Sequence, residues 1–169
     1  MPRPDYIVDP TTIDFNNIVA DAEAIRKYNP QRFEMEQLTA IVYIDEEAHT
    51  CAGYKDITEQ DFWVRGHMPR MPLMPGVLMC EAAAQLCSWV TQRYNLLDAQ
   101  MVGLGGLEVR FRGPVVPGDR LLIACKKLKA RKGRLINCMF QGTVGENIVV
   151  DGNIIGIPLP VDALTADPE

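Results

Sequence analysis

The chain lacks several signatures that would place it at once in a functional class. No C-x-x-C pair occurs, and the five cysteines, Cys51, Cys80, Cys87, Cys125 and Cys138, are odd in number and lie mostly within apolar runs. That pattern suits neither a disulfide framework nor a zinc site, and it reads as reduced core thiols in a cytoplasmic protein. An excess of positive charge is also missing. Seventeen Lys and Arg stand against 22 Asp and Glu, a formal charge of −5, which makes a nucleic-acid phosphate backbone a poor default partner. Residues 1–5 carry no basic flank leading into an apolar segment, so a secretory signal is not expected. The longest charge-poor stretch, residues 71–92, is interrupted by Pro72 and Pro75 at its start and later by Glu81, Gln85 and Ser88. It fits a buried helix and not a membrane span. Internal repeats and low-complexity tracts are absent. What remains is ordinary globular material, 169 residues of which 47% are apolar and 23% charged, enough for one domain with a substantial core.

Phe15, Ile18, Val19, Ala22 and Ile25 recur at helical spacing, with Asp14 as candidate cap and Pro30 as terminator, which predicts a short amphipathic helix near the start. Residues 38–45 and 51–58, joined by the polar turn Glu46-Glu47-Ala48-His49, predict a β-hairpin. A loop rich in glycine and proline follows. From position 77 to 90 the chain has strong helix formers, no breaker, and apolar residues nearly all round, so this helix must be wrapped by other elements. The remainder reads as strands over 101–111, 120–129, 134–144 and 148–157, divided by Gly113-Pro114, Pro117-Gly118-Asp119, Lys132-Gly133 and Gly145-Glu146-Asn147. One long buried helix among five or six antiparallel strands is an α+β architecture, a sheet curled around a helix. The expected divisions are an N-terminal extension at 1–30, a main domain at 31–160 and a flexible tail at 161–169.

Within residues 71–92 the one formally charged residue is Glu81. A carboxyl in an apolar helix loses hydration, which disfavours charge and makes Glu81 a candidate proton donor. A glutamate satisfied at a subunit interface would leave the same trace. The second feature favours chemistry: His67 sits in Gly66-His67-Met68-Pro69-Arg70-Met71-Pro72-Leu73-Met74-Pro75-Gly76, where glycine and proline restrict the backbone of a loop running into the helix. A held imidazole beside such a Glu makes a base and acid pair. His49, flanked by Glu46 and Glu47 in a turn, reads as a solvated or structurally satisfied residue. Third, Pro75 and Gly76 open the helix, whose free N–H groups can steady a carbonyl oxygen as it gains negative charge.

Gly66-His67-Met68-Pro69 through Met74-Pro75-Gly76-Val77-Leu78 and on to Glu81-Ala82-Ala83-Ala84-Gln85 resembles the signature of (3R)-hydroxyacyl-[acyl-carrier-protein] dehydratases of fatty acid synthesis. Phe111-Arg112-Gly113-Pro114-Val115-Val116-Pro117-Gly118-Asp119 resembles the same family's later strand and turn, and Pro30-Gln31-Arg32-Phe33 is similar to its N-terminal segment. The resemblance spans roughly residues 25–160. It implies a hotdog fold, homodimers with sites shared between subunits, trimers of dimers being common in the family, and chemistry without cofactor or metal. It also implies roles: His67 as the catalytic histidine, Glu81 as the catalytic glutamate from the facing subunit, and the Gly76 amide as the group that polarises the thioester carbonyl. Met68, Met74, Pro75, Val77 and Gln85 are the positions expected to touch substrate. The reaction implied is loss of water from a 3-hydroxyacyl thioester to give a trans-2-enoyl product. The sibling enzyme that also isomerises the double bond carries Asp where this chain has Glu81, so the resemblance is to the non-isomerising type.

Two positions depart from the pattern. Met68 replaces a phenylalanine, and Arg70 stands where the family usually has glycine. If that position needs positive φ, Arg70 must strain or reshape the loop. Charge supplies a partner: residues 108–134 hold nine Lys and Arg against two acids, a local net charge of +7 within a chain of −5. Lys126, Lys127, Lys129, Arg131, Lys132 and Arg134 are therefore candidates to steer an acidic acyl carrier protein. A hotdog thioesterase and a catalytically silent acyl-binding subunit remain as rival readings, since hotdog proteins share a shape across reactions.

Overall fold

The computed structural model describes residues 5–161. Apolar runs rich in β-branched residues pair into one six-stranded antiparallel sheet: β1 (Ala40–Asp45), β2 (Thr50–Asp56), β3 (Met101–Phe111), β4 (Arg120–Arg131), β5 (Leu135–Val144) and β6 (Asn147–Leu159), in the order β1-β2-β4-β5-β6-β3. The expected strands all form, with ends shifted by one or two residues. The turn between β1 and β2 is closed by the Asp45 carboxylate, which accepts from the Ala48 amide at 2.9 Å.

Helix α2 (Gly76–Arg93) packs on one face of this sheet. Its buried set runs around most of the helix and includes Leu78, Met79, Ala82, Ala83, Leu86, Trp89 and Val90. These residues meet Ile41, Leu121, Ile123, Ile136, Phe140 and Ile154 in a single core. Close approach of helix and sheet depends on Gly53, where a Cβ would lie 2.9 Å from the Ala40 carbonyl oxygen and 3.4 Å from a Leu86 methyl. All five cysteines are free and buried; Cys51 and Cys125 face each other in register with their sulfurs 3.4 Å apart.

The run Leu121-Leu122-Ile123-Ala124-Cys125 is buried throughout because both faces of β4 are covered. Leu121, Ile123 and Cys125 face α2. Leu122 and Ala124 face outward, where they join Ala40, Val42, Ala52 and Tyr54 under Ile7, Val8, Ile13 and Phe15. The N-terminal segment is thus a strap across the outer face of the sheet.

That strap corrects one expectation. The N-terminal helix is only α1 (Ala22–Arg26), and its cap is Asp21, whose carboxylate accepts from the Ala24 amide at 2.9 Å. Phe15, Ile18 and Val19 lie outside it. Asp14 instead accepts from the Asn16 amide within a turn, and Val19 and Ala20 donate to the Ile41 carbonyl alongside β1. Asn16 and Asn17 favour the turn, and pairing with β1 satisfies the backbone that a helix would have satisfied internally. The tail expected at 161–169 lies, apart from Val161, outside the described residues.

Arg120 fastens the strap. Its guanidinium lies 4.8 Å from the Phe15 ring centre and 4.3 Å from that of Tyr54, and it forms a two-pronged ion pair with Asp56 at 2.6 and 3.0 Å. Phe15 also meets Tyr54 edge-on, ring centres 5.4 Å apart, and Phe15→Ala removes its ring from this cluster, so it should cost about 1–2 kcal/mol. In thermal denaturation this is a fall in Tm of about 2–4 °C per kcal/mol for a chain of this size; an unchanged Tm would show that the strap is not energetically coupled to the sheet.

Candidate active site

His67 lies on an exposed loop, yet its position is fixed by backbone bonds. Its amide donates to the Trp63 carbonyl and its carbonyl accepts from Leu73, both at 2.8 Å. Met68 and Met71 exchange two further backbone bonds, and Met74 donates to Val115 at 2.8 Å, tying the loop to the connection before β4. The imidazole Nδ1 is 2.7 Å from the Leu73 carbonyl oxygen. A carbonyl can only accept, so Nδ1 carries a proton, and in the neutral imidazole the lone pair is on Nε2.

Arg70 occupies the left-handed region at φ +68°. The conditional expectation about this position is therefore met: the chain does adopt the conformation that suits glycine, with an arginine in it. The arginine side chain is exposed and the turn closes regardless, through the paired bonds of Met68 and Met71.

Gly76 is the first residue of α2 and follows Pro75; no side chain caps this end. The first bond there is from Leu78 to the Pro75 carbonyl at 2.9 Å, leaving the Gly76 and Val77 amides outside the helical ladder. A Cβ at Gly76 would stand 2.6 Å from the Phe111 ring, so the missing side chain makes room for Phe111 at the end of β3.

Glu81 is half-buried, one turn further along α2. Its Oε1 accepts from the Gln85 side-chain amide at 2.8 Å and from that of Gln31 at 3.4 Å. Gln85 is only 2% exposed. Its oxygen accepts from the Gln37 amide at 2.9 Å, and its nitrogen donates to the Met35 carbonyl at 2.6 Å as well as to Glu81. Gln85 thus holds Glu81 and locks the segment around the short 3-10 turn Phe33–Met35 against the helix. The spacing of Glu81 and Gln85 is the one that places two side chains on the same helical face. The Gln31 contact is not legible from spacing, because it joins residues fifty positions apart.

From Glu81 a cavity of about 110 Å³ extends along α2 past Ala84, Cys87 and Thr91, with Ile136 and Ile154 of the sheet on its other side. His67 is not among its lining residues. One chain therefore brings Glu81, Gln31 and Gln85 together and holds His67 on a separate loop. Of the other positions expected to touch substrate, Met74 is buried in the core, Pro75 is half-buried, and Met68 and Val77 are exposed, Val77 at 72%.

The basic candidates cluster around the β4–β5 hairpin, with Lys126, Lys129, Arg131, Lys132 and Arg134 exposed. None of these five forms an ion pair with another described residue. Lys127 turns inward, and its Nζ lies 2.9 Å from His49 Nδ1. Burial, and then this ammonium, push the His49 imidazole below its ordinary range, and the ring stacks edge-on against Tyr94 at 5.2 Å. His49 has a structural post. Arg112 and Arg120, also within the basic segment, are neutralised by Asp151 and Asp56.

The fold and this motif meet in a known family. A family model described as the FabA-like domain matches residues 29–155. The 3-hydroxyacyl-[acyl-carrier-protein] dehydratase FabZ of Saccharophagus degradans is 33% identical over 140 residues, which is 80% of this chain and 94% of that protein. The chain belongs to the FabA-like domain family. Among solved structures, the dehydratase heterocomplex ApeI:P of Xenorhabdus doucetiae superposes with a TM-score of 0.68 at 13% identity, over 83% of this chain and 97% of that one. Cj0977, a sigma28-regulated virulence protein of Campylobacter jejuni, superposes at 0.62 and 16% identity, over 80% and 95%. At such identities these two speak for the hotdog fold alone.

Replacing Arg70 by glycine relieves the left-handed backbone without touching the loop's hydrogen bonds. Arg70→Gly should therefore stabilise the protein by about 1 kcal/mol; urea denaturation showing a loss instead would mean that the arginine side chain makes contacts worth more than the strain.

Proposed function

We propose that this chain is a 3-hydroxyacyl-[acyl-carrier-protein] dehydratase of fatty acid synthesis or a related lipid pathway, working as a homodimer in the cytoplasm. The observation that carries the reading is the His67 tautomer: Nδ1–H is spent on the Leu73 carbonyl, leaving Nε2 as a base within the same motif that supplies Glu81. The C2 proton of the substrate passes to Nε2, and the electron pair enters the thioester carbonyl as an enolate. The open amide of Gly76 at the start of α2 stabilises that oxygen. Return of the electrons forms the C2–C3 double bond and breaks the C3–O bond, with Glu81 protonating the departing hydroxyl to water. Proton exchange with solvent resets His67 and Glu81.

In this reading the base comes from one subunit and the acid from the other, which accords with His67 not lining the cavity that begins at Glu81 of the same chain. Strand β3 offers the surface for such pairing. It is the edge of the sheet, and Leu104, Leu107 and Phe111 are exposed along it. The acyl tail runs from Glu81 into the cavity along α2, and the carrier protein approaches the basic β4–β5 hairpin.

Purified protein mixed with 3-hydroxybutyryl and crotonyl thioesters decides the reaction class. Reversible enoyl absorbance without free thiol supports dehydration, thiol release indicates a thioesterase, and silence with carrier-bound substrate as well would leave a binding subunit. His67→Ala and Glu81→Gln should each lower kcat by a factor on the order of 10² or more; near-normal turnover removes that residue from the mechanism. Reversing Lys129, Arg131 and Lys132 to Glu should raise KM for carrier-bound substrate while sparing a small thioester, and equal effects on both would sink the docking assignment.

A further inference from the structure

Gln31 is the unexplained member of the Glu81 cluster. Its amide nitrogen faces Glu81 Oε1 at 3.4 Å, and its side-chain oxygen is buried with no hydrogen-bond partner among the described residues. A buried polar atom without a partner costs about 1–3 kcal/mol, so such an atom beside an ionisable group asks for a ligand. The residue also lines the cavity that begins at Glu81.

The reaction supplies the ligand. When the C3–O bond breaks, a hydroxyl becomes a water molecule with two O–H donors in the cavity beside Glu81, and those donors need acceptors. Glu81, having given up its proton, can accept one. Gln85 cannot serve, since it does not line this cavity and its oxygen faces the Gln37 amide. Ser88 and Thr91 lie seven and ten positions beyond Glu81 on α2, about 10 and 15 Å along the helix, and the Thr91 hydroxyl is already bonded to the Cys87 carbonyl at 2.6 Å. Gln31 Oε1 is the acceptor at the right end of the cavity.

Resting on the dehydratase reading, we propose that Gln31 is a further catalytic group that holds the departing water. Its oxygen accepts a hydrogen bond from the C3 hydroxyl as that group leaves, and its N–H donates to the Glu81 carboxylate that the same step creates. Gln31 neither gains nor loses a proton. The bonds broken and formed remain those of the elimination: C2–H and C3–O break, the second C2–C3 bond forms, and the Glu81 proton leaves with the water.

A substrate whose leaving group needs no proton separates this role from a structural one. From a 3-chlorobutyryl thioester, His67 takes the C2 proton, the electron pair forms the double bond, and chloride leaves unaided. With the full-length enzyme, Gln31→Met should lower kcat for the 3-hydroxybutyryl thioester about 10- to 100-fold, with KM within about 2-fold, and should leave chloride elimination within about 3-fold of wild type. Gln31→Leu, of different shape, should give the same split, as should Glu81→Gln. Equal losses on both substrates would mean that Gln31 only holds the site in shape, and no loss on either would mean that it does nothing for the reaction; each result overturns the assignment while the dehydratase reading stands. A wild-type enzyme inert toward both thioesters and toward carrier-bound 3-hydroxyacyl substrate overturns that reading and this assignment with it.

Discussion

An apolar helix of 18 residues cannot be left in water, and enclosing α2 within the curl of the sheet is the requirement from which the rest of the molecule follows. The sheet must be wide enough to wrap it, which uses six strands, and β2 must come close, which uses Gly53. Enclosure also decides where chemistry can occur. The middle of the helix is sealed by Leu86, Trp89 and Val90, so polar work is confined to its first two turns, where Gly76 exposes free amides and Glu81 emerges at the edge of the core. The same packing that hides the helix leaves its positive end, with the Gly76 and Val77 amides, outside the sealed core.

The outer face of the sheet poses the opposite problem. Curling around α2 leaves Val42, Tyr54, Leu122 and Ala124 pointing outward, and the N-terminal strap answers by laying Ile7, Val8, Ile13 and Phe15 across them. This explains why a segment with helical spacing of apolar residues is not a helix. The contacts on offer were those of a flat surface needing cover, and the Arg120 stack between Phe15 and Tyr54 supplied an anchor that helical periodicity cannot encode.

Elements with strong local signals were legible in the sequence. The long helix announced itself by an uninterrupted apolar run with one charge, and the strands by alternating runs between glycine and proline turns. His67, Gly76 and Glu81, the residues of the proposed mechanism, stand in one contiguous motif. What was not legible depends on folding over long distances. Gln85, expected at the substrate, also bonds to Gln37 and Met35, residues that pack on α2 only once the chain has closed. Gln31 reaches Glu81 across fifty positions, and Lys127 leaves the basic surface to meet His49 across seventy-eight. Arg70 is the reverse case. The sequence marked the position as unusual, and the structure holds Arg70 in the left-handed region within a turn closed by backbone bonds between Met68 and Met71.

The choice of partners around Glu81 has a chemical logic of its own. An arginine or lysine at the position of Gln31 or Gln85 would bind the carboxylate more strongly, but it would favour the charged form alone. Carboxamides are neutral, and each carries both a donor and an acceptor. They can fix the orientation of a carboxyl group in either protonation state. Gln85 spends both of its groups on that task and on fastening the segment behind it, so it is rigid. Gln31 spends only its donor, and the free oxygen is what distinguishes a group that can meet the substrate from one that merely supports the site.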